Sequence, residues 1–190
     1  MLKTPNYTLF LAGGYASGLT TKCITMEGIS VRQLSSTQLE ADTCMLLYAI
    51  DFDRRMSSKN VTGRLVVQSP DTDVMILLIL YMQQMEAVQD LWMETGTITR
   101  TLDLRRLIPI HKIADKVGPV VCNTLPGVDA LTSCDAVSSL FGVGKQTVWQ
   151  LAMELPSSEL SGLDDLGGDD VTKATGAAKG FVVKMYDRTN

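Results

Sequence analysis

Five carboxylates and one Gly-rich turn carry the chemistry this sequence offers. Asp71 and Asp73 stand in "VVQSPDTDVMILLILYM", between two apolar runs. Burying a carboxylate beside a core is costly unless a partner compensates it. "GRLVVQS" reads as a strand and "TDVMILLILYMQQM" as a helix, so both acids fall where a strand ends and a helix begins. Two residues apart in extended chain, their side chains share one face and could reach one cation or a close pair. Asp71 is also a natural N-cap, and an acid in the first turn suits the helix dipole. Glu40 and Asp42 form a second acidic pair near a helix start. Thr37 with Glu40 matches a capping box, which is the alternative use of that pair. Asp135 follows Cys134, and beyond it "GVGK", Gly142 to Lys145, leads into another helix. Such a turn leaves backbone N–H groups free to face a phosphate, and Lys145 adds charge. The turn is not a P-loop, because the G-x-x-x-x-G-K spacing is absent and no strand precedes it.

Hard oxygen donors of this kind suit Mg²⁺ or Mn²⁺. Two such ions activate water and steady a leaving oxygen without a histidine base. The single histidine, His111, therefore does not count against phosphodiester cleavage. Zinc is not expected: the four cysteines (Cys23, Cys44, Cys122, Cys134) are far apart with no C-x-x-C pair, and read as free buried thiols.

The elements that must position these residues alternate. "YTLFLAGG" reads as a strand closed by glycines, and "CITMEGISVRQL" as two short strands around Glu27-Gly28. Ala41, Cys44, Met45, Tyr48 and Phe52 recur at helical steps. "GRLVVQS" has the few charges of a buried parallel strand, and the apolar helix after it is expected to be covered nearly all round. "DLWMETGTITRTLDLRRLIPI" gives a strand and a turn at Thr95-Gly96, and "IHKIADKVGPVVCNTL" a helix broken at Gly118-Pro119. "SCDAVSSLFGVGKQTVWQLAMEL" reads as a helical hairpin. Strand and helix in alternation predict an α/β fold. Residues 1–155 are expected to form that domain, and 156–190 a loose Ser/Gly/Asp-rich segment before a short helix, "AAKGFVVKMY".

With 190 residues, the chain can bury one sizeable core. Its net charge of −4 argues against a broad basic surface that grips nucleic acid by charge alone. The longest apolar run, Val74 to Met82, falls short of the ~20 residues that span a bilayer. No secretory leader is visible, and an intracellular protein, nuclear ahead of cytoplasmic, is expected. Trp92 and Trp149 are expected in the core ahead of base stacking. His111 is expected at the surface or as a cap, and Arg105-Arg106 at a solvated strand end. The ten methionines read as core filling.

"EADT", "SPDTDV" and "LTSCDA…FGVGKQTVWQLA", in that order, resemble the flap-endonuclease-like branch of the PIN-like nucleases. More closely, the stretch from "LFLAGGY" to "FGVGK" is similar to a PIN-like domain of uncharacterised, mobile-element-associated animal proteins. The resemblance covers about residues 8 to 152. It implies a three-layer sandwich around a mostly parallel central sheet, followed by a helical hairpin. It implies that Glu40, Asp42, Asp71, Asp73 and Asp135 bind two divalent ions and cut nucleic acid, DNA ahead of RNA. It gives Gly142, Gly144 and Lys145 to the nucleic-acid backbone. The family's first acid, at the end of an N-terminal strand, has no counterpart upstream of Glu27, so the domain is expected to lack that strand. Ser133 replaces the usual Gly before Cys-Asp. The alternative, motivated by the missing acid and the acidic net charge, is a catalytically inactive binding or scaffold module from a mobile-element protein. A phosphoacceptor domain is a third reading, without the lysine near Asp71 that it needs.

Overall fold

The computed structural model describes residues 10–13, 22–25, 34, 41–132 and 142–187. The chain is α/β. Its elements run β1 (Phe10–Gly13), β2 (Lys22–Thr25), α1 (Ala41–Ser57), β3 (Gly63–Gln68), α2 (Thr72–Met82), β4 (Val88–Thr95) and β5 (Arg106–Pro109), then α3 (Ile110–Thr132), α4 (Lys145–Glu154), α5 (Ser157–Leu160) and α6 (Val171–Asp187). β1 and β2 form an antiparallel pair, as the Gly-closed strand suggests. The second strand expected in "CITMEGISVRQL" and the Thr37–Glu40 capping box lie outside the described residues.

The central sheet has the order β3-β4-β5. β3 pairs parallel with β4, and β4 pairs antiparallel with β5. The sheet of the described residues is thus mixed, not mostly parallel as expected. The reason is local. β4 ends at Thr95, and Gly96 takes φ +92°, where a side chain would meet the Leu104 carbonyl 2.3 Å away. The chain therefore folds straight back, closed by the Ile98–Asp103 bridge, and no helix crosses over. β3 is also less buried than its composition suggests. Arg64, Val66 and Gln68, alternate residues that share one face of the strand, are exposed, so that face of β3 is open.

The first core is built by Leu46 and Ala49 of α1, Val67 of β3, Val74, Leu78 and Ile79 of α2, Leu91 and Met93 of β4, and Ile110, Ala114, Cys122 and Leu125 of α3. No residue of α2 from Asp73 to Met82 is exposed, which fits its unbroken apolar sequence. Gly118, at φ +78°, ψ +167°, breaks α3, and Pro119 restarts it in the first-turn position where its missing N–H costs nothing.

The C-terminal segment is not loose. Val128 of α3, Val148, Leu151 and Ala152 of α4, Leu160, Leu163, and Phe181 and Met185 of α6 make a second core. α3 enters both cores, and Val121 packs against each. Gly127 lets the chain approach closely there: a Cβ on it would stand 2.1 Å from the Leu163 carbonyl oxygen.

Asp53 ties α1 to the sheet. This buried carboxylate accepts the backbone N–H groups of Glu86, Ala87 and Val88 at 3.1, 2.9 and 2.8 Å. His111 is neither a surface residue nor a cap. Its Nδ1 lies 2.9 Å from the Leu91 carbonyl oxygen, and its ring meets Trp92 edge-on at 5.3 Å. Cys44 and Cys122 are free buried thiols, and burial pushes the Cys122 thiol above its ordinary range. Arg105 and Arg106 are exposed at the start of β5, as expected of a solvated strand end, and Arg105 pairs there with Asp103 and Glu94.

Asp53→Ala leaves two buried amides, those of Ala87 and Val88, without their acceptor. We expect it to cost about 3 kcal/mol or more, read as a lowered urea midpoint at unchanged m-value.

Candidate functional site

β3 delivers the first two acids. Ser69 continues the ladder, donating its N–H to the Glu94 carbonyl at 3.0 Å. Its buried hydroxyl accepts the Asp71 N–H at 3.1 Å, which turns the chain off the strand end. Asp71 stays extended and caps α2, Oδ1 accepting the Asp73 N–H at 2.9 Å. Capping uses part of a carboxylate's capacity of about four acceptor sites. The cap and the ligand role are therefore compatible.

Asp42 arrives from another direction. α1 connects to β3 through the short turn Ser58–Thr62, so it runs back along the strand. Its N-terminus, with Asp42 in the first turn, ends beside the carboxyl end of β3. Asp42, Asp71 and Asp73 each bring a carboxylate oxygen to within 4.8 Å of the others. Opposed ligands of an ion bound at 2.0–2.1 Å lie about 4.2 Å apart. The three acids could therefore hold a metal ion between them once drawn closer together.

Lys145 opens α4 next to this cluster. Its Nζ donates to the Thr72 hydroxyl at 3.3 Å, between the two aspartates of α2. Gly144 is the N-cap of α4, and Gly142, at φ +76°, makes the turn before it. A glycine cap supplies no side-chain acceptor, so nothing on the cap residue covers the first amides of α4. Glu40 and Asp135 lie outside the described residues.

Asp129 of α3 is a site neighbour that the motifs did not mark. It lines a cleft with Thr72, Lys145 and Trp149. Burial pushes the Asp73 carboxyl above its ordinary range; Asp129 and then Asp71 push it further, Lys145 opposes them, and Asp42 adds to the rise. Three acids thus act on Asp73 against one lysine. That imbalance is what a divalent ion relieves. Asp129 shares a helical face with Leu125, Val128 and Thr132.

Comparison with family models, with curated proteins and with solved structures gave no match. No helix of the described residues is long and apolar enough to cross a membrane.

The sign of the Asp73 effect is testable in metal-free buffer. Its folded-state pKa lies above the ordinary 3.8, so the folded chain holds the proton more firmly than the unfolded one. Stability then falls as pH rises from about 3.8 through the folded-state value. Asp73→Asn should raise the thermal midpoint of the apoprotein at neutral pH and flatten its pH dependence. An unchanged or lowered midpoint would show that the acids do not repel one another there.

Proposed function

We propose that the chain is a divalent-metal-dependent nuclease domain of the flap-endonuclease-like PIN type, hydrolysing phosphodiester bonds of nucleic acid, DNA ahead of RNA. The observation that carries this reading is the meeting of Asp42 with Asp71 and Asp73 at one strand end. A lone D-x-D is explained by helix capping. An acid from the first turn of a different helix, brought to the same place, adds a third oxygen donor that the capping of α2 does not call for.

Asp42, Asp71 and Asp73 would hold Mg²⁺ or Mn²⁺, with Glu40 and Asp135 completing the set. A bound ion pair supplies charge to steady the phosphoryl oxygens and to acidify the attacking water. Asp129 adds negative potential that favours cations over other ligands. The N-terminus of α4, with Gly142, Gly144 and Lys145, would receive a backbone phosphate beside the acids. On this reading the sheet and its helices correspond to the three-layer sandwich of that family, and the parallel β3–β4 pair is the part of its sheet that carries the acids.

Asp71→Asn is a clean test, because asparagine caps a helix as well as aspartate does. The variant should keep its fold while losing a ligand charge. We expect Mn²⁺ to raise the wild-type thermal midpoint and to stimulate cleavage of flap, single-stranded or duplex substrates. Asp71→Asn and Asp42→Asn should each lower that cleavage at least about 100-fold, the scale of removing one charge-stabilising group. A folded wild-type chain that cuts none of these substrates with Mn²⁺ or Mg²⁺ would leave the inactive-module alternative in its place.

A further inference from the structure

The face of α4 that begins with Lys145 continues away from the acids. Lys145, Trp149 and Met153 follow at four-residue steps, so they line one side of the helix. All three are exposed, Trp149 and Met153 at 36% each. The core of the C-terminal helices is built instead on Val148, Leu151 and Ala152. Trp149 is not in the core as expected: about a third of it is exposed. It stands, with Met75, in the walls of two adjoining clefts. One cleft runs to Thr72, Lys145 and Asp129 at the acid site. The other is flanked by Lys112 and Lys116, and no carboxylate lines it. These two lysines lie one turn apart on α3, both exposed, and neither forms an ion pair with a described residue. A strip of three lysines around a partly exposed tryptophan is therefore set into a chain whose net charge is −4.

We propose that this strip is a track for single-stranded nucleic acid leading to the acid site. Trp149 stacks one base, Lys145 takes the phosphate on the acid side, and Lys112 and Lys116 take phosphates beyond it. The proposal rests on the nuclease reading for what happens at the acid end, but not for binding. The chemistry selects an unpaired strand: a base can stack on a protein ring only when one of its faces is free, and duplex stacking covers both. The rise of an α-helix sets Lys145 and Trp149 about 6 Å apart along the axis. That is the scale of one nucleotide, so base and phosphate contacts can belong to neighbouring units.

The test is binding of the full chain to a fluorescein-labelled oligothymidylate of about 20 nucleotides in EDTA, where no cleavage intervenes. Wild type should bind it more tightly than a duplex of the same length. Trp149→Ala should weaken binding at least about fivefold, and Trp149→Phe should restore most of the loss. Lys112→Gln with Lys116→Gln should lower the slope of log affinity against log salt by about 1.4. Thermal midpoints near wild type confirm that each variant is folded. In Trp92→Phe, where Trp149 is the sole tryptophan, the oligonucleotide should quench the emission. Wild-type affinity and salt slope in both folded variants would overturn the track, even if metal-dependent cleavage is found. Absence of single-strand binding would overturn it too, as would a dimer dissociated by Trp149→Ala, which would give the face to self-association. Binding with the predicted losses but no cleavage with Mn²⁺ would support the track and remove the nuclease reading alone.

Discussion

Repulsion among carboxylates at the carboxyl end of β3 is the constraint on which the rest of the structure turns. Asp71 and Asp73 leave the strand together, and Asp42 is brought to them by a separate helix. For Asp71 and Asp73 two sources of compensation are visible. The N-terminus of α2 favours negative charge, and Asp71 satisfies one of its amides. Lys145 contributes one positive charge from α4. Burial and Asp129 work against both, and together they push the Asp73 carboxyl above its ordinary range.

The two cores explain how such a cluster is held in place. α1 and α2 pack together on the sheet side, fixing their N-termini relative to β3. Asp53 anchors the far end of α1 to the start of β4, so α1 cannot slide along the strand. α3 extends from the sheet core into the helical core and carries Asp129 at the join. The second core in turn sets α4, whose first residue reaches Thr72. Lys145 and the acids thus come from different cores, and α3, packed with α2 and α4, is the element common to both.

The sequence was most legible where local pattern and chemistry coincide. Apolar runs on either side of "SPDTD" placed a strand end and a helix start, and the acids fell between them. Periodicity found α1, and Gly118-Pro119 found the break in α3. What escaped depended on distant partners. Asp53 takes its amides from residues 33 to 35 positions away, and nothing nearby announces them. Asp129 looks like any acid on a helix until α2 is set beside it. The antiparallel β5 is four residues long and half exposed, inside a polar stretch, so the sheet read as parallel. Ser, Gly and Asp between Pro156 and Asp170 hid Leu160 and Leu163, two side chains that close the second core. Trp149 read as core because tryptophan usually is, and only the packing of α4 turned it outward.

A crystal of the full chain grown with Mn²⁺, measured for anomalous scattering, tests the central claim most directly. A manganese peak within about 2.0–2.6 Å of oxygens from Asp42, Asp71 and Asp73 is the predicted result. A well-ordered cluster with no peak at saturating Mn²⁺, or carboxylates turned away from one another with the ion bound elsewhere, would contradict it.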